Sequence, residues 1–227
     1  MASARVISVN TGRVADAECA GKQQRTAIDK RPAAGPVRVG WLGLDGDEQA
    51  DKDHHGGPEQ AVYAYARQDL DWWVERLGRE VRDGAFGENI TVAGLDITGA
   101  LIGERWKLGS AVVQVTACRI PCVVFQGWMD EEHWVRRFSR AGRPGAYLRV
   151  IEEGMVARGD PVEVIDRPAE RVTVAEAMLA FYGDADVMRR LVRVPGRGSK
   201  WDEIAAGLLS RPGTGPDVPP GDAALTA

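Results

Sequence analysis

Short apolar runs dominated by Val and Ile recur through the first two thirds of the chain, each ended by Gly, Asp or Pro. RVISV at 5–9, PVRVGWLGL at 36–44, AVYAY at 61–65, NITV at 89–92 and RWKL at 105–108 have the length of strands. AVVQVT at 111–116, AYLRVI at 146–151 and PVEVI at 161–165 continue the series. So many short strands predict a mostly β barrel or sandwich. Two segments have a helical period instead. Residues 67–81 place Leu70, Trp73, Val74, Leu77 and Val81 on one face, and residues 130–140 predict a second helix with Asp130 as its N-cap.

Beyond Pro168 the period changes for good. Thr173 and Glu176 form a Thr-x-x-Glu capping box ahead of Val174, Ala177, Met178 and Phe181, which predicts a helix. Further helices fit 185–193 and 200–209, with Pro195, Gly196 and Gly198 breaking the chain between them. The expected organisation is a β domain over residues 1–166, a small three-helix C-terminal domain over 167–211 and a flexible tail over 212–227, rich in Pro, Gly and Asp.

Composition narrows the function. The chain has 227 residues, enough for one large domain with a small appendage. Its 29 Lys and Arg against 33 Asp and Glu leave a net charge of -4, which argues against a nucleic-acid or polybasic membrane partner. Three cysteines, Cys19, Cys118 and Cys122, are too few for a disulfide scaffold. No apolar stretch reaches the roughly 18–20 residues that span a bilayer, and the N-terminus lacks a signal pattern, so the expected location is the cytoplasm. The 27 glycines suit a chain with many tight turns.

Two segments carry candidate chemistry. In GLDGDEQADKDHHGG at 43–57, an EF-hand starting at Asp45 would need an oxygen ligand, Gly and Glu at its fifth, sixth and twelfth positions. Gln49, Ala50 and Gly56 stand there, so Asp45, Asp47, Glu48 and Asp53 read as a solvated acidic turn. His54 and His55, just before Gly56 and Gly57, are stronger candidates for a site, because backbone can approach a ligand closely at glycine. In TACRIPCVVF at 116–125 a strand runs out into Arg119, Pro121 and Cys122. A thiolate is a nucleophile and metal ligand, and a neighbouring guanidinium favours it. The competing reading is a small buried hydrophobe, more strongly so for Cys118. No second Cys or His pair completes a zinc site.

Other positions are less distinctive. Lys30 by itself reads as a surface lysine, and in GAFGEN at 84–89 the side chains of Glu88 and Asn89 either satisfy turn backbone or touch a ligand. Arg136, Arg137, Arg140 and Arg143 read mainly as a solvated helix face, and GRGSK at 196–200 does not have P-loop order.

Taken in order, GLDGDEQADKDHHGG, AVYAY, GAFGENITVAGLD, CRIPC and GAYLRVIEEGMVARGD resemble the YiiM family of MOSC-domain proteins, from about Thr26 through Ile165. The resemblance implies a closed, mostly β barrel with short helices, followed by a three-helix C-terminal domain. It also implies binding of the molybdenum cofactor, with Cys122 as protein ligand to the metal and Lys30 and His55 in the pocket. Arg119 would oppose anionic phosphate and oxo groups, Asn89 is a further cofactor contact, and His55 would deliver a proton. The implied activity is reduction of N-hydroxylated substrates such as hydroxylaminopurine, with molybdenum accepting the oxygen. No flavin or nicotinamide site is recognisable in the chain, so an external flavin-containing reductase would supply electrons, and a delivery protein the cofactor. The alternative is a carrier of the cofactor or of sulfur on Cys122. This chain departs from the family pattern in having Ala117 and Cys118 before the Arg-x-Pro-Cys unit, where an acidic or amide residue and a proline are usual, and in having Val124 two residues after Cys122, where a basic residue is frequent.

Overall fold

The computed structural model describes residues 3–19, 22–50 and 56–210. His54, His55, Asp53 and the tail over 212–227 lie outside the described residues. Thirteen strands are described: β1 (Arg5–Thr11), β2 (Ala15–Cys19), β3 (Lys22–Thr26), β4 (Arg31–Pro32), β5 (Val37–Gly40), β6 (Gly43–Leu44), β7 (Val62–Ala66), β8 (Ile90–Ala93), β9 (Arg105–Leu108), β10 (Ala111–Cys118), β11 (Ala146–Glu152), β12 (Gly154–Val156) and β13 (Val162–Asp166). The helices are α1 (Arg67–Leu77), α2 (Val123–Met129), α3 (Trp134–Ala141), α4 (Val174–Phe181), α5 (Ala185–Leu191) and α6 (Lys200–Leu209), with one 3-10 turn at Pro58–Gln60. The fold is mostly sheet, with several helices.

Eight strands form the main sheet in the order β13-β9-β10-β11-β7-β8-β1-β4. All pairs are antiparallel except β7 with β8, which α1 joins as a crossover. The expected closed barrel is corrected here, because the ladder is open and its edges are β13 and β4. Among the described residues a local link joins its far side: Arg5 bridges Pro161, with Val162 N–H donating to Ala4 O, Val6 N–H to Asp160 O and Gly159 N–H to Val6 O, each at 2.9 Å. A continuous ladder would need the edge of β1 opposite β8 to run beside β13, but that edge meets residues 159–162 only around Ala4–Val6 and passes to β4 at Asn10 and Thr11.

Two helices depart from the sequence expectation. Helix α1 stops at Gly78, whose φ of 63° and N–H bond to Val74 O (3.0 Å) end it before Val81. Asp130 is not an N-cap: with φ 52° it closes α2, and His133 (φ 57°) precedes α3. Helix α2 has no counterpart in the sequence reading, VVFQGWM being short and interrupted by a glycine. Its Phe125 joins Phe86, Trp73, Trp134 and Phe138 in an aromatic cluster with centroids 4.6–6.2 Å apart, which ties α1, α2, α3 and the 84–87 turn together.

The three C-terminal helices form as the pattern predicts. Both halves of the capping box are present, Glu176 N–H to Thr173 Oγ1 at 3.1 Å and Thr173 N–H to Glu176 Oε2 at 2.8 Å. Their buried residues, including Val174, Met178, Met188 and Trp201, belong to the same apolar core as the sheet. The Trp201 indole N–H donates to Thr116 O at 3.0 Å and so docks α6 on β10. No helix of the described residues is long and apolar enough to cross a membrane.

Candidate functional site

Strand β10 ends at Cys118, and the chain turns through Arg119, Ile120 and Pro121 to Cys122, which stands in extended conformation immediately before α2. Arg119 is only 8% exposed. Its Nη1 donates to Phe86 O at 2.9 Å, and its guanidinium carbon lies 4.2 Å from the Phe125 ring centre and 5.1 Å from that of Tyr63. Its Nε is buried without a hydrogen-bond partner, and among the described residues no carboxylate forms an ion pair with it. Burial opposes the charge, but Tyr147, Tyr63, Cys122 and Glu88 more than offset it and raise the pKa above its ordinary value. The guanidinium is therefore a buried cation with spare donor capacity.

Lys30 reaches the same space from the loop after β3. It is buried, not the surface lysine its isolated context indicates, and its ammonium pairs with Asp47. Burial lowers its pKa, Asp47 pulls the other way, and Arg119 adds to the lowering. The acidic turn is thus corrected at one position. The Asp45 side chain is 66% exposed, but that of Asp47 is 4% exposed, and Asp47 also accepts from Gly12 N–H at 2.8 Å and Asn89 Nδ2 at 2.9 Å. Asp47 is the residue that sequence reasoning missed. No local signal marks it, because its partners come from positions 12, 30 and 89.

Asn89 is buried and serves the protein's own backbone: Oδ1 accepts from Tyr63 N–H at 3.1 Å, and Nδ2 also donates to Asn10 O at 3.3 Å. Next to it, Glu88 accepts from Gly84 N–H (2.6 Å), Phe86 N–H (2.9 Å) and Thr91 Oγ1 (3.1 Å). Burial nevertheless pushes its carboxyl pKa up to about 7. The GAFGEN turn thus supplies both the carbonyl that holds Arg119 and the amide that holds Asp47.

Lys30, Asp47, Tyr63, Asn89, Arg119 and Cys122 line one cavity of about 560 Å³, within the size range of small-molecule sites. Cys118 does not share it. That thiol is 3% exposed, lines a neighbouring cavity, and has its pKa pushed by burial to about 12, which makes it a poor nucleophile or ligand. His55 lies outside the described residues. Among the described residues no three His, Cys, Asp or Glu side chains gather into a metal cage. What the cavity offers is one accessible thiol, a buried cation able to accept an anion, and a lysine already neutralised by its carboxylate.

A MOSC domain matches residues 51–163, which span the cavity's Arg119 and Cys122 arm. Protein YiiM of Escherichia coli is 31% identical over 201 residues, 86% of this chain and 88% of that protein. The chain belongs to the YiiM family of MOSC-domain proteins. YflK of Bacillus subtilis is 38% identical over 189 residues, covering 83% of this chain and 86% of its own. A Gibberella moniliformis protein named a reductase is 31% identical over 173 residues, 74% of this chain but 30% of its own length. In structure, YiiM from Geobacillus stearothermophilus superposes with a TM-score of 0.76 at 27% identity, over 91% of this chain and 99% of that one.

Proposed function

We propose that the 560 Å³ cavity binds the molybdenum cofactor and that the protein reduces N-hydroxylated compounds, of the hydroxylaminopurine type, with electrons from a separate flavin-containing reductase. The observation that carries this reading is the buried guanidinium of Arg119, with which no carboxylate of the described residues forms an ion pair, in the same cavity as the Cys122 thiol. Its Nε has no hydrogen-bond partner, and an anionic ligand would use that spare donor capacity.

The residues suit a molybdopterin. Its phosphate or oxo groups fit Arg119, a soft thiolate suits a metal that already carries dithiolene sulfurs, and a metal that brings most of its ligands needs no protein cage. When bound, the cofactor supplies the redox centre that takes up oxygen from the N–O bond. The overall change is R–NHOH plus two electrons and two protons to R–NH2 plus water. Cys122 would hold the metal, Arg119 would orient its anionic groups, Lys30, already paired with Asp47, would add a hydrogen-bond donor beside them, and His55 would deliver a proton. Delivery of the cofactor by another protein completes the scheme. The name of the Gibberella reductase supports the same class of chemistry.

The test is the molybdenum and pterin content of protein purified from a cofactor-producing host, beside Cys122→Ala and Arg119→Met. Near-stoichiometric metal in the wild type that falls sharply in both variants is expected. Turnover of hydroxylaminopurine with a chemical reductant and no acceptor protein then separates a reductase from a carrier. Equal metal in wild type and Cys122→Ala would sink the ligand assignment.

A further inference from the structure

A second cavity, of about 540 Å³, lies beside the first, bounded by the end of β10, the Pro58–Gln60 turn, α4 and α6. Gly56, Gln60, Ile120 and Tyr147 line both cavities, so the two spaces share a wall. The far wall comes from the C-terminal helices as Phe181, Trp201 and Ile204. Trp201 is 3% exposed, and its ring is anchored by the bond to Thr116 O. The cavity's carboxylate is already satisfied, because Glu59 pairs with Arg149 at 3.2 Å and accepts from Ser199 N–H (2.6 Å) and Oγ (2.8 Å).

One polar group remains unmatched. Oε1 of Gln60, on the shared wall, is buried and has no hydrogen-bond partner among the described residues. An unsatisfied buried acceptor costs about 1–3 kcal/mol, which a ligand N–H would recover. Apart from Glu59, Thr116, Ser199 and Lys200 the lining is mainly aromatic and aliphatic, and such walls with one convergent acceptor favour flat rings over flexible ligands.

We infer that this second cavity binds uncharged, planar heteroaromatic amines, with the rings against Trp201, Phe181 and Ile204 and an N–H donated to Gln60 Oε1. In the proposed reaction it holds the aromatic body of the substrate beside the Cys122 cavity. That consequence rests on the functional reading above, but the binding itself does not. The C-terminal helices, which the reductive chemistry leaves without a role, become the wall that selects the substrate.

The experiment is calorimetric titration of the full-length protein, purified without molybdenum, with quinoline and 3-aminoquinoline at pH 8, where both are uncharged. The wild type binds both, the amine at least fivefold more tightly. Ile204→Trp fills the cavity from α6 and weakens both at least tenfold, whereas Cys122→Ala changes neither. Phe181→Ala, at the 38% exposed rim, weakens both and decides the matter should Ile204→Trp fail to fold. Gln60→Leu abolishes the preference for the amine and leaves quinoline bound. Absence of binding by the wild type, or unchanged binding by a folded Ile204→Trp or by Phe181→Ala, overturns the site. An amine preference that survives in Gln60→Leu overturns the role of its acceptor. Because no readout needs molybdenum, a protein that never takes up cofactor would fail the functional reading and leave this inference standing.

Discussion

The Lys30 ammonium and the Asp47 carboxylate form an ion pair sealed from solvent, with side chains 9% and 4% exposed, although 17 residues separate them in the chain. Asn89 Nδ2 and Gly12 N–H also donate to Asp47, so the carboxylate is held by three donors from three parts of the chain.

Removing one member leaves a buried charge without its partner. Asp47→Ala is expected to destabilise the protein by about 3–5 kcal/mol. The double variant Lys30→Met with Asp47→Leu recovers part of that loss, since no unpaired charge remains, while the Gly12 N–H that donates to Asp47 is left without its partner. Urea unfolding of the three proteins checks both statements.

Arg119→Met gives the opposite pattern. The guanidinium is already packed between the Phe125 and Tyr63 rings, so an apolar side chain of similar length is expected to keep or raise the thermal midpoint of the cofactor-free protein. Its cofactor content falls. Arg119→Lys does not rescue binding, because a single ammonium cannot hold Phe86 O and present further donors in a plane. Scanning calorimetry beside metal analysis separates the two effects.

Glu88 makes stability depend on pH. Its folded pKa of about 7 lies above the ordinary 4.5, so the protonated form is favoured by folding. Its contribution is fully present below pH 4.5 and is lost as pH rises through 7, a change of about 3 kcal/mol at 1.36 kcal/mol per unit. Glu88→Gln flattens this slope and lowers stability at pH 5, since an amide nitrogen cannot accept from the N–H groups of Gly84 or Phe86. Urea midpoints between pH 4.5 and 8 for the two proteins measure the difference.

The three thiols should separate by reactivity. Half-buried Cys122 is expected to alkylate first with iodoacetamide at pH 8, while Cys118, with a pKa near 12 and 3% exposure, stays unmodified in the folded protein. Cys19 is 2% exposed, and burial and Cys122 both raise its pKa, so it follows Cys118. Peptide mass spectrometry over time gives the order, and early labelling of Cys118 would contradict it.

What the sequence determined by itself is what contiguous residues encode. RWKL became β9 over the same residues, the Val-rich run from Ala111 became β10, and the Thr173–Glu176 box started α4 where expected, because strand propensity and caps act within a few positions. The ordered motifs also carried the family and drew attention to Lys30, Arg119 and Cys122, which the fold brings to one cavity.

Tertiary structure decided the rest. The pattern at 67–81 continues through Val81, yet Gly78 adopts a left-handed conformation that ends α1, and Asp130 closes one helix instead of opening the next. Whether the main sheet closes depends on how the edge of β1 opposite β8 is divided between residues 159–162 and β4, a competition between distant segments. Asp47 looks like a solvated acid until Gly12, Lys30 and Asn89 surround it, and Gln60 carries no signal at all until the fold sets it between two cavities. Burial and charge pairing are properties of the space between segments, and one-dimensional periodicity does not contain that space.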